Sequence, residues 1–293
     1  MVDRFKYKKK IKYFAGAIIR YGGLFFLFKK LVLKNRATIV IYHNPKYEYF
    51  EKHINFYLKH FNIISLKNYI ENILHNKNIP AYTLILTIDD GYKENYSLLP
   101  IIKKHCISPT IYVCGAIVGT NCKFWFDIAE NKFVILEKME RKKRNAFLKK
   151  HFNYSENTSY SPRTALSVDE LIELDKYADI QSHTMFHPIL TNESPENIIE
   201  EIVKSKNVLE KILSKKICHF SYPNGNYSKS IISTVAKAGY ISARSCDIGW
   251  NKIRKAHDLY KLKALGIQDD ASINVLCAQI TGIFGFIRLF GKN

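Results

Sequence analysis

Three short clusters of this 293-residue chain combine side chains able to do chemistry with places where chemistry is usually built. The first is Asp89-Asp90-Gly91, directly after the apolar run at residues 83–88 (TLILTI). Adjacent carboxylates at the end of a buried strand repel each other and resist desolvation unless a cation or proton is shared. A metal would resolve the conflict, whereas a solvated Asp-Asp-Gly turn has no conflict to resolve. The second cluster is residues 183–187 (HTMFH). Two imidazoles four residues apart can meet on one side of a helical turn or compact loop, which suits a divalent ion bound through nitrogen. Ten histidines in the chain also make a chance pair at that spacing unsurprising. The third cluster, residues 220–225 (FSYPNG), is a strand end turning through Pro and Gly. It reads as a plain turn, or as one that aims backbone N–H groups at a developing oxyanion.

The elements that must position these clusters alternate between strand and helix. A β-branched run at residues 37–42 precedes a helix over 49–61, whose apolar positions are Phe50, Ile54, Tyr57, Leu58 and Phe61. Ser65 reads as the N-cap of a helix to Leu74, and 83–88 as a strand buried on both faces of a parallel sheet. Further on the pattern predicts a helix at 96–105, a strand at 109–117 and a basic helical stretch at 128–150 on a solvated face, then a polar loop at 153–164. Ser167 and Glu170 form a capping-box signature, followed by a strand at 179–182 and a helix opened by Ser194-Pro195. Strands at 217–222, 241–245 and 262–267 and a helix at 230–238 complete the pattern. Alternation over some 230 residues implies a parallel sheet, open or closed into a barrel. All three clusters follow strands, and the carboxyl ends of parallel strands are where α/β folds place their sites.

In this order and spacing the clusters resemble the NodB-homology polysaccharide deacetylases, carbohydrate esterase family 4. Residues 84–91 (LILTIDDG) are similar to the family's T-F-D-D-G motif with Ile88 in place of Phe, and 183–187 match its H-[ST]-x-x-H motif. Residues 220–225 resemble an F-x-Y-P-x-G variant of the third motif, and Tyr42-His43 looks like the Y-H that opens many bacterial members. The similarity extends from Ala37 to Gly285. It implies an α/β fold, a distorted (β/α) barrel of the NodB type, with a metal bound by Asp90, His183 and His187 and with Asp89 as general base. The open coordination position would take water, and the oxyanion would lie against the metal and the Asn224 N–H within the Tyr222-Pro223-Asn224 turn. The expected ion is zinc, with cobalt, nickel or manganese as alternatives.

The chain departs from the family in two places. No histidine follows His257, so the usual late proton donor is missing and His43 stands as the candidate acid. Ser221 occupies the place of the common third-motif Arg, which leaves Arg244 as the candidate for orienting Asp89. Trp125 and Trp250 read either as platforms for a sugar ring or as ordinary core residues.

Composition bounds the rest. With 47% apolar residues and a net charge of +19, the chain is a globular protein and not a disordered one. Six cysteines without a C-x-x-C pair suggest neither a zinc knuckle nor a disulfide framework, which points to a reducing, cytosol-facing compartment. Residues 1–36 hold eleven Lys/Arg and one acid, so this leader carries +10 of the +19. Its apolar stretch at 13–28 is interrupted by Arg20 and too short to span a bilayer. The leader reads as a basic amphipathic helix on an anionic membrane surface or packed on the barrel that fills 37–293. The expected partner is an N-acylated amino-sugar glycan or a lipid-linked sugar, the latter favoured by the leader and by the apolar tail at 280–290. The activity that follows is removal of an N-acetyl or other N-acyl group from a bacterial surface polysaccharide or its precursor, in the cytoplasm or at the inner face of the membrane. The alternative is a non-catalytic NodB-like glycan-binding module, favoured by the missing late histidine and third-motif Arg and opposed by the retained aspartates and histidines, since such a module has no need of a base beside a metal; no nucleic-acid recognition motif accompanies the leader.

Overall fold

A computed structural model describes residues 2–128, 132–253 and 258–283. The expectations placed on His257 and on the tail beyond residue 283 lie outside the described residues. Among the described residues nine strands alternate with helices: β1 (Arg36–Tyr42), β2 (Asn62–Ile63), β3 (Thr83–Ile88), β4 (Thr110–Val113), β5 (Asp179–Ser182), β6 (His219–Ser221), β7 (Ser242–Ile248), β8 (Asn251–Lys252) and β9 (Leu262–Gly266). The strand order β2-β3-β4-β5-β6-β7-β9-β1-β8, with β3 also paired to β1, is that of a (β/α) barrel of parallel strands. The chain divides into two compact units, one of residues 1–87, 247–257 and 263–293, the other of 88–246 and 258–262.

In the first unit β1 is buried at every position after Arg36. It pairs in parallel with β9 and, at its start, antiparallel with β8. Three buried polar side chains here form a chain: the Tyr42 hydroxyl lies 2.9 Å from His53 Nδ1 and 2.7 Å from the Tyr57 hydroxyl, and His53 Nε2 lies 2.7 Å from the Ala271 carbonyl. That carbonyl can only accept, so Nε2 carries the proton and Nδ1 accepts from Tyr42. Burial lowers the His53 pKa and favours this neutral form.

The leader is two helices, Val2–Tyr21 and Leu24–Leu31, where the sequence reads as one. The break falls at Gly22-Gly23 because Gly23 adopts φ 77°, a left-handed conformation that a side chain would resist. The longer helix lies against helix Ile273–Ile280. Gly16 permits that approach, since a Cβ there would stand 2.4 Å from the Asn274 carbonyl oxygen. Replacing Gly16 with Ala is expected to destabilise this packing by about 1–3 kcal/mol despite the better helix propensity. Amide exchange across residues 2–21 should quicken, with a lower melting temperature.

The second unit carries β4-β5-β6-β7, all parallel, with Val113 opposite Ser182, Ser182 opposite Phe220, and Ser221 opposite Arg244. This register sets the residues at the strand ends side by side. The capping box at Ser167 and Glu170 forms with both of its bonds, and Ser194 caps helix Pro195–Leu213. Two expectations fail for local reasons. The strand from 109 ends at Val113, because Gly115 and Ala116 donate to the carbonyls of Thr184 and Met185 and fold the chain over the histidine loop. The basic stretch 128–150 is not one helix. It includes the short helix Phe133–Leu136 and then Arg141–Phe152, with Trp125, Leu136, Leu148 and Tyr154 gathered into a core of their own.

Candidate active site

All three clusters lie in the second unit, at or just beyond strand ends. Asp89 and Asp90 follow β3 and are each 3% exposed. Asp90 takes φ 75° and Gly91 φ 84°, and a Cβ on Gly91 would stand 2.8 Å from Val113 Cγ1. Left-handed backbone at a non-glycine residue is costly, of order 1–3 kcal/mol, and persists where the surroundings impose it. Thr184, His187 and Asn224 share it, so each of the three clusters contains at least one such residue.

His183 is buried at the end of β5. Its Nδ1 lies 2.8 Å from the Ser221 carbonyl, to which it must donate, and this fixes the tautomer with a lone pair on Nε2. That Nε2 is 3.7 Å from Asp90 Oδ1, and His187 Nε2 is 3.6 Å from the same oxygen. His187 is fixed through its backbone and its ring. Its N–H donates to Thr184 Oγ1 at 3.1 Å, its carbonyl accepts from Trp125 Nε1 at 2.9 Å, and Phe126 meets its ring edge-on at 4.9 Å. One donor atom from each of Asp90, His183 and His187 falls within 4.8 Å of the others. The two separations above are too long for hydrogen bonds. They are close to the edge of about 3.4 Å expected between ligands standing 2.0–2.2 Å from a tetrahedral ion. One carboxylate and two neutral imidazoles are a donor set for a borderline divalent metal, and the residues fit one.

Asp89 is held from the other side. The buried Arg244 guanidinium donates through Nη2 to Asp89 Oδ2 and to Ser221 Oγ, while the Tyr112 ring lies 5.3 Å from its Cζ. Burial, the largest single influence, pulls the Arg244 pKa down, but the charges of Asp89, Cys246 and Tyr112 together with the Asp89 hydrogen bond outweigh it, and the net direction is up. Arg244 is Ser221's register partner on β7, so a cation from the adjacent strand reaches the aspartate that a third-motif arginine would otherwise meet.

Other expected site residues fall differently. Asn224 is exposed, and its amide donates to Glu137 Oε2 at 3.0 Å. Tyr222 and Pro223 are buried. The Tyr222 N–H donates to the Arg244 carbonyl and its hydroxyl to the Tyr260 carbonyl, so the side chain braces the loop and offers no surface to a ligand. Trp125, at 1% exposed, is not a sugar platform: one face stacks on Phe133 and the Arg144 guanidinium stands 4.1 Å from its ring centroid. Burial pulls that guanidinium's pKa down to about 10. Trp250 and His43 belong to the first unit, Trp250 against Phe28 at 5.2 Å and His43 exposed, its N–H donating to Asp269 Oδ1.

Sequence reasoning missed Glu201. Its Oε2 accepts from the N–H groups of Met185 and Phe186, inside the histidine loop, and its Oε1 from Arg141, which also binds Glu156. Burial pushes the Glu201 carboxyl up to about 6 against the opposing pull of Arg141. The signal was there: Ile198, Glu201, Ile202, Ser205 and Leu209 share the buried stripe of helix Pro195–Leu213, and a carboxylate on such a stripe needs partners. Glu201→Ala is expected to weaken divalent-metal binding about 10–100-fold by loosening the loop. Glu201→Gln, whose amide oxygen can still take both N–H bonds, should cost much less, as chelator competition would show.

Comparisons with known proteins bear on the family and the fold. A profile of the polysaccharide deacetylase family matches residues 76–243. YxkH of Bacillus subtilis (strain 168), named for polysaccharide deacetylation, is 23% identical over 159 residues, which is 54% of this chain but 42% of that protein. The aligned part therefore spans less than half of the relative's length. Among solved structures, the Streptococcus pyogenes deacetylase PplD in complex with acetate aligns with TM-score 0.62 at 17% identity, over 84% of this chain and 98% of that one. IcaB from Ammonifex degensii gives the same TM-score at 14% identity, over 84% and 97%. At these identities the likeness is one of fold.

Proposed function

The chain belongs to the polysaccharide deacetylase family, whose members hydrolyse carbon–nitrogen bonds of acetylated sugars, and from that premise we propose that it removes an N-acyl group, acetyl, from an amino sugar of a bacterial surface polysaccharide or its precursor. The observation that carries the reading is Asp89, gripped by Arg244, beside the converging donors of Asp90, His183 and His187.

A divalent ion held by Asp90, His183 and His187, zinc by default with cobalt, nickel or manganese accepting the same donors, supplies Lewis acidity toward the amide carbonyl and toward water. The protein's own groups do the rest. Asp89 accepts the proton of the attacking water, and Arg244 keeps it ionised and aimed. The left-handed turn at Asn224 offers a backbone N–H to the oxyanion as the new C–O bond forms. When the C–N bond breaks, the leaving amine takes up a proton. Products are a free amino sugar and a carboxylate.

Stripping the protein with a chelator is expected to abolish release of acetate from N-acetylglucosamine oligosaccharides, at least about 100-fold, and zinc or cobalt should restore it. Undiminished turnover in the stripped protein would overturn the reading. A lipid-linked sugar at the inner face of the membrane is the second reading, favoured by the basic leader. Removal of residues 1–30 should then lower activity on lipid-linked but not on soluble substrates.

A further inference from the structure

The leader is inside out for a helix that only packs on its own domain. On helix Val2–Tyr21 the groups turned to the rest of the first unit include polar ones and a glycine. Gly16 approaches the Asn274 backbone, Arg20 Nη1 donates to Asn274 Oδ1 at 3.1 Å, and Lys12 Nζ reaches Gln268 Oε1 at 3.5 Å, with Ile19 buried beside them. Ile11, Phe14, Ile18 and Tyr21 are instead 51–75% exposed. At 100° per residue these four span about 80° of the helix, on the side away from Gly16 and Ile19. Helix Leu24–Leu31 repeats the arrangement: Phe25 is buried, while Leu24, Leu27 and Leu31 are 49–71% exposed at spacings of three and four. A surface helix of a soluble protein turns its apolar stripe inward.

The charge around the stripe selects its occupant. No acidic residue lies between Asp3 and Glu48, and Lys30, Lys34 and Arg36 are exposed next to the apolar positions. A second copy of the chain would set one dense positive field against another. No helix among the described residues is long and apolar enough to cross a membrane. We propose that the two leader helices form a docking surface for an anionic phospholipid bilayer. They lie in the headgroup plane with Phe14, Ile18, Leu27 and Leu31 in the acyl boundary and the lysines and Arg36 on the lipid phosphates. This surface does not depend on the chemistry at Asp89, and its test reads lipid binding, not turnover.

The full-length protein is floated with vesicles of phosphatidylcholine containing about a third phosphatidylglycerol, and with phosphatidylcholine vesicles alone. Wild type should partition at least about tenfold better onto the anionic vesicles, and about 0.5 M salt should remove most of the difference. The double variant Phe14→Glu, Leu27→Glu should lose about tenfold or more of that binding. Its melting temperature and its turnover of soluble oligosaccharide should not change, because both positions face solvent. Ile135→Glu, at an exposed apolar position of the second unit, should bind as wild type does. Failure of wild type to float with anionic vesicles, or equal flotation of wild type and the double variant, would overturn the proposal. So would a dimer in light scattering that the double variant dissolves, since the stripe would then serve a second copy.

Discussion

Asp89→Asn is expected to lower kcat for deacetylation by about 10²- to 10⁴-fold and to leave zinc binding nearly intact. Both halves follow from the geometry. Asp89 Oδ2 is 3.9 Å from His183 Nε2, and that oxygen is committed to Arg244, while Asp90 Oδ1 is the oxygen shared by both imidazoles. Asn has nearly the same shape and can still accept from Arg244, so the ligand loops keep their places, but it cannot take a proton from water. Asp90→Asn should do the reverse and lose the metal first, with activity falling in step with metal content. Metal analysis beside initial rates separates the two. An Asp89→Asn protein that holds zinc and turns over within about tenfold of wild type would remove Asp89 from the base role.

The division between these neighbours was legible only as far as residue type allowed. Asp89-Asp90-Gly91 and residues 183–187 stood out because carboxylates and imidazoles at strand ends have few structural uses, and the β–α alternation that carries them follows from hydrophobic period alone. What holds them was less visible, for identifiable reasons. The Ser221 contact that fixes the His183 tautomer is a backbone carbonyl, so any residue there would supply it. Arg244 depends on strand register, and its pairing with Ser221 is a long-range outcome that no local pattern encodes. Trp125 stays undecided in the sequence because a tryptophan between phenylalanines is equally consistent with a sugar platform and with a core. Only the position of the Arg144 helix over it decides the matter. The leader's two helices required weighing a glycine pair against an apolar run that otherwise continues, and there the local backbone preference prevailed.

Arg244→Met is expected to cost about 3–5 kcal/mol of stability, far more than a surface arginine would, because it strands the Asp89 charge in a buried site. The double variant Arg244→Met, Asp89→Asn should recover much of that loss, since neither position then holds an uncompensated charge. Equilibrium unfolding of the four proteins in the cycle gives the coupling directly, and strict additivity would mean that the contact contributes no specific stability. The catalytic consequence is separate. Arg244 acts on the reaction through Asp89, so Arg244→Lys, which keeps the charge but not the planar fork that spans Asp89 and Ser221, should fold and bind zinc yet lose about 10- to 100-fold in kcat with little change in KM. In an Asp89→Asn background the same Lys substitution should have almost no further effect on kcat, because there is no longer a base for the guanidinium to aim. A purely structural Arg244 would instead lower kcat by the same factor in both backgrounds.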